Sequence, residues 1–166
     1  MVMSRAIAAA CALALITAST QPSAMPADAG ASGRNQAIVV EAFEAWAAGS
    51  NVFADLLAPD VAWTVHGSGP AARSYRGRDD FVRQASQPLT SRLATPLVPK
   101  IHNIWAGGDT VVVRFEASAT TTSGRPYSNQ FVWIFRMKDG SVTEAEAFLD
   151  LAAYQEVIEQ NEPRKP

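Results

Sequence analysis

The stretch from Lys100 to Phe148 constrains the fold more than any other part of the chain. It reads KIHNIWA, TVVVRFEASATT, SNQFVWIFRM and SVTEAEAF, interrupted by GGD, SGRPY and KDG. Val, Ile, Thr, Phe and Trp crowd the four segments, and such side chains suit a pleated, half-buried surface. The interruptions carry Gly at hairpin spacing, so the pattern predicts four strands in an antiparallel meander. Helical patterns precede it. NQAIVVEAFEAWAAG (35–49) sets Val39, Phe43 and Trp46 at helical spacing and stops at Gly49. NVFADLLAPD (51–60) predicts a short second helix with Phe53, Leu56 and Leu57 on one side, closed by Pro59. VAWTVH (61–66) has β-type composition. RDDFVRQAS (78–86) carries acids where a helix start prefers them and Phe81, Val82 and Ala85 as a buried face, before a Pro-containing connection over 88–99. At the end, Asp150 is placed to cap a helix bearing Leu151, Tyr154 and Ile158.

Helices first and an antiparallel sheet after them predict an α+β domain, a curved sheet wrapped around N-terminal helices as a cone. Helices that close one side of such a sheet leave an internal cavity sized for a small molecule.

The first residues differ from the rest. Arg5 precedes AIAAACALALITA (6–18), which is apolar throughout, and STQPSAMPADAG follows with small residues and prolines. This is the form of a secretory signal peptide, too short for a finished membrane span. The expected boundaries are a signal peptide and leader at 1–29, a disordered linker at 30–34, one domain at 35–160 and a tail at 161–166. Cleavage fits after Ala29, and sites near Ala18 or Ala24 fit too. The expected location is exported, periplasmic or secreted, with no stable membrane span after cleavage. The single cysteine, Cys11, lies in the apolar segment, so disulfides, thiol nucleophiles and cysteine-bound zinc drop out of the mature chain. No His/Asp/Glu spacing suggests a metal and no motif suggests a cofactor. The net charge of −2 and pI near 5.6 offer nothing to nucleic acid.

Chemistry has few candidates. His66 stands at the end of WTVHGSG (63–69), sharing a face with Thr64 and Ala62, and imidazole titrates near neutrality. Along TVVVRFEAS, alternation puts Val111, Val113, Phe115 and Ala117 on one face and Val112, Arg114, Glu116 and Ser118 on the other. If the second face lines the cavity, Arg114 holds Glu116 ionised as a positioned base. If that face is solvated, the two form a surface ion pair worth about 0–1 kcal/mol.

The element order, with YRGRDDF (75–81), GDTVVVRFEA (108–117), GRPYSNQFVWIFRMKDGSV (124–142) and FLDLAAY (148–154), resembles the SnoaL-like polyketide cyclases. These belong to the nuclear-transport-factor-two-like superfamily, with ketosteroid isomerase and limonene epoxide hydrolase. The resemblance spans residues 35–158. It implies a cone lined by Phe43, Trp63, His102, Trp133, Ala147 and Asp150, and a homodimer through the exposed face of the sheet. Ketosteroid isomerase pairs an aspartate base with a tyrosine and a protonated aspartic acid as hydrogen-bond donors. Set beside it, His66 falls near the base, Phe43 at the tyrosine and Trp133 at the protonated acid. Limonene epoxide hydrolase carries an Arg-x-Asp pair where this chain has Arg114-Phe115-Glu116, and its second aspartate falls at Ala147. Two functions follow as expectations. One is cofactor-free acid–base catalysis on a small apolar molecule, an isomerase, cyclase or hydrolase, with His66 as proton carrier and Arg114 and Glu116 orienting substrate or activating water. The other is a non-catalytic ligand-binding or dimerisation module, since Phe43, Trp133 and Ala147 are apolar where relatives carry chemistry.

Overall fold

The computed structural model describes residues 27–165. The expected signal peptide and leader lie outside them except for Ala27–Ala29, the backbone of the first helical turn. The elements are α1 (Ala27–Ala47), α2 (Val52–Leu56), β1 (Leu57–Val65), β2 (Ser74–Arg76), α3 (Arg78–Phe81), a π-helical turn (Val82–Ser86), α4 (Gln87–Thr90), β3 (Val98–Gly107), β4 (Thr110–Thr120), β5 (Pro126–Lys138), β6 (Ser141–Leu149) and α5 (Leu151–Gln160). The strands form one sheet in the order β2-β1-β6-β5-β4-β3. The meander β3–β6 pairs antiparallel throughout, as the hairpin spacing predicts. The β1–β6 pair is parallel, because helices and the whole meander separate the two strands and let β1 enter from the opposite end. The sheet curves around the helices without closing, an α+β cone with its apolar face inward.

Three local expectations need correction. Residues 30–34 are helix, not a disordered linker, and α1 begins well before Asn35. Gly30 and Gly33 cost a helix about 1 kcal/mol each relative to Ala, and long-range bonds offset that. The Gly108 amide donates to Ser32 Oγ at 2.7 Å and Asn35 Nδ2 donates to the Gly108 carbonyl at 3.2 Å, so the β3–β4 turn grips the helix from outside. The second helix stops at Leu56 and the chain extends from Leu57. Asn51 caps α2 through its side-chain oxygen, which accepts from the amides of Phe53 and Ala54 at 3.2 and 3.3 Å. Pro59, without an N–H, sits in β1 where the register with β6 slips between Leu57 and Ala62, the one stretch that asks nothing of it. The helix predicted over 78–86 runs on through Pro88 to Thr90. A proline ring crowds the carbonyl four residues back and offers no donor. The turn before it widens to π geometry, with the Gln87 amide reaching back to Val82.

The last helix is as predicted. Asp150 Oδ1 accepts from the amides of Ala152 and Ala153 at 2.9 and 3.1 Å. The core lies between the sheet's inner face and the helices. Val111, Val113, Phe115 and Ala117 all point into it, and Trp133 sits at its centre with seven aromatic rings around it. No helix among the described residues is long and apolar enough to cross a membrane.

Candidate ligand cavity

Strand alternation and the inward faces of the helices together make a cavity of about 590 Å³. From the sheet, β1 contributes Trp63 and Val65, β5 contributes Phe131 and Trp133, and β6 contributes Ala147 and Leu149. Opposite them stand Phe53 of α2, Phe81 of α3 and Tyr154 of α5. The aromatic walls are ordered by ring packing: Trp63 stacks on Phe81 with centroids 4.0 Å apart, and Trp46 lies parallel to Trp133 at 5.9 Å. Wall residues that also reach solvent, Asn51, Gln87, Thr95, Pro96 and Arg164 among them, mark the mouth.

The chemistry of this wall is sparse. Among the described residues it carries no histidine, carboxylate, lysine or cysteine, and its ionisable side chains are Tyr154 and Arg164. The Tyr154 hydroxyl donates to the Ala85 carbonyl at 2.8 Å, and burial holds its phenol well above the ordinary range, so it stays neutral and occupied. The Trp63 indole N–H is buried without a hydrogen-bond partner. No group of three His, Cys, Asp or Glu side chains is placed to hold a metal among the described residues.

Residues 39–145 match the SnoaL-like domain family. The chain belongs to that family. No protein of curated function matches it. Solved structures of the same fold include a Jannaschia sp. CCS1 protein named for the SnoaL-like polyketide cyclases, 22% identical with a TM-score of 0.62 over 80% of this chain and 96% of that one. A Burkholderia thailandensis E264 NTF2-like protein is 23% identical, with a TM-score of 0.59 over 75% of this chain and 96% of its own. TerC, co-crystallised with polyporic acid, is 21% identical, with a TM-score of 0.61 over 76% and 99%. At these identities the likeness carries fold alone.

In this SnoaL-like domain the residues singled out for acid–base work stand outside the cavity. Trp63 and Val65 point inward, so alternation turns Thr64 and His66 to the outer face of the sheet. There His66 Nε2 meets Glu146 Oε2 at 2.7 Å, and the imidazole stacks on Phe148 at 4.6 Å. The histidine of WTVHGSG therefore belongs to a half-exposed outer cluster. Arg114 and Glu116 are displaced by the same logic, since Val113, Phe115 and Ala117 take the inner face. Glu116 does not pair with Arg114: Lys100 Nζ lies 3.1 Å from its carboxylate and His102 Nε2 lies 3.4 Å away. The hydrogen bond and charge of Lys100 hold the Glu116 carboxyl below the usual range, with His102 adding a smaller pull in the same direction.

Of the six expected lining residues, Trp63, Trp133 and Ala147 are in the wall. Phe43 is fully buried behind it against Trp46, Phe115 and Trp133. His102 is on the outer face with Glu116, and Asp150 is committed to capping α5. Alternation had no power to find the helix-borne wall of Phe53, Phe81 and Tyr154. Their signal was the helical spacing that marked those faces as buried. Arg164, in the tail, carried no sequence signal.

Proposed function

We propose that this SnoaL-like domain binds a small, mostly apolar molecule in its cone without transforming it. One observation carries the reading: an aromatic cavity of about 590 Å³ whose wall, among the described residues, offers no imidazole or carboxylate to move a proton. The neutral phenol of Tyr154 is tied to a backbone carbonyl, which leaves it a structural strut. The co-crystallisation of TerC with polyporic acid supports the small-molecule part of this reading. The test is titration with N-phenyl-1-naphthylamine, whose emission rises in apolar surroundings and which accepts energy from nearby tryptophans. Saturable energy transfer from the tryptophans, with the probe recovered unchanged by mass spectrometry, is the expected outcome. Absence of saturable binding, or a chemically altered probe, overturns the reading.

A second copy of the chain is the proposed occupant of the sheet's outer face. The large apolar side chains most exposed among the described residues, Val98, Trp105 and Phe148, all lie there, with Val112, Val132 and Ile134 half-buried between them. Sedimentation of wild type against Trp105→Lys tests this, with the variant expected to shift toward monomer. Export rests on the pattern of residues 1–29, and N-terminal sequencing of the mature protein tests it.

A further inference from the structure

The cavity's polarity is lopsided. Its wall carries one cation, Arg164, and no anion among the described residues. The tail brings that arginine to the mouth through backbone bonds: the Arg164 amide donates to the Ser91 carbonyl at 2.8 Å, and the Glu162 carbonyl accepts from Thr122 Oγ1 at 2.8 Å. Arg92 stands at the same corner. Its guanidinium donates to the Asn161 carbonyl at 2.8 Å and the Pro88 carbonyl at 2.9 Å. Neither arginine has a carboxylate partner among the described residues.

The plain alternative is that both arginines serve the C-terminus of the helical segment that ends at Thr90, since Arg164 Nη2 also approaches the Thr90 carbonyl at 3.4 Å. The magnitudes do not match. A helix C-terminus presents roughly half an elementary negative charge, against two full positive charges. Arg164 spends one long hydrogen bond there and keeps most of its five N–H donors. A surplus of positive charge among the described residues beside an aromatic cavity favours a ligand with an apolar body and an anionic head, and a guanidinium fork suits a carboxylate.

We infer that the ligand is an apolar carboxylic acid bound as its anion, its body against the tryptophan and phenylalanine walls and its carboxylate at the mouth on Arg164. This rests on the proposal that the cavity binds a small apolar molecule, and it adds the chemical class.

The probes are 2-naphthoate and its neutral isostere 2-naphthamide, compared by calorimetry on the full domain, with the indole N–H NMR signals reporting cavity occupancy. Naphthoate is expected to bind about tenfold tighter, equivalent to about 1.4 kcal/mol. Arg164→Gln is expected to erase that preference, so that the variant binds naphthoate and naphthamide equally. Since Arg164 is exposed in the tail, circular dichroism should show an unaltered fold. Equal affinities in wild type, a preference that survives in Arg164→Gln, or binding that leaves the indole signals unmoved would each overturn the inference. If N-phenyl-1-naphthylamine binds and neither naphthalene compound does, the carboxylate assignment fails and the cavity reading stands. If no probe binds, both fail.

Discussion

Replacing Trp133 by Ala tests whether the aromatic cluster holds the cone together. The indole is 5% exposed and lies among the rings of Phe43, Trp46, Phe53, Trp63, Phe115, Phe131 and Phe135, at centroid distances of 5.7, 5.9, 5.8, 5.2, 4.7, 6.1 and 5.8 Å. A buried tryptophan removes about 150–250 Å² from water. At about 25 cal/mol per Å² that gives roughly 4–6 kcal/mol as an upper bound. Part of the ring borders the cavity and has no atoms across from it there, so its dispersion contacts are fewer than in a filled core. The expected loss is therefore near the lower end of aromatic truncations, about 3–4 kcal/mol. For a domain of this size that lowers Tm by about 6–16 °C. Urea unfolding followed by far-UV circular dichroism is the assay, because the substitution removes one of the fluorophores. A loss under about 1 kcal/mol would mean that the rings touch without packing, and that the cavity wall is not built as described.

Three further outcomes follow from the geometry. His66→Ala should leave probe affinity in the cavity within about twofold by calorimetry, because a side chain bound to Glu146 on the outer face has no path to the ligand. Gly67→Ala should destabilise by about 1–3 kcal/mol in thermal unfolding, since Gly67 has φ +123° and an added Cβ would stand 2.8 Å from Leu151 Cδ1. Stability should fall between about pH 10 and 12: burial pushes the Tyr127 phenol up to about 12, against about 10 unfolded. The unfolded chain then loses its proton first, so a contribution on the order of 2 kcal/mol, intact below pH 10, is lost as pH climbs through the folded value. Tyr127→Phe should make that fall shallower in pH-dependent urea unfolding, with the raised Tyr154 phenol supplying the part that remains.

The strands were legible because period-two alternation and glycine turns are local signals. The cap at Asp150 was legible for the same reason. What escaped depended on partners far along the chain. Nothing near Ser32 announces that Gly108 will bond to it, 76 residues away, so a stretch with Gly30 and Gly33 read as a linker. Pro59 read as a stop, although a register slip against β6 accommodates it. The site was misplaced for a subtler reason. Alternation correctly divided β4 into two faces, but resemblance assigned the polar face to the cavity. The weight of Val111, Val113, Phe115 and Ala117 already argued that theirs was the inward one, and Trp63 and Val65 said the same of His66. In a fold whose cavity opens within the core, core face and cavity face are the same face.

The parallel seam between β1 and β6 also sets an order of events. In chain order β1 precedes the whole meander, yet the strand that covers its inner edge is β6, the last of the sheet. Until residues 141–149 arrive, β1 has only the short β2 as a strand partner, although Phe53 and Phe81 already pack on Trp63. Such a non-local closure is slow and leaves one hydrogen-bonding edge of β1 unpaired until it happens. A chain cut short before β6 would lack one wall of the cone and the mate of its first strand.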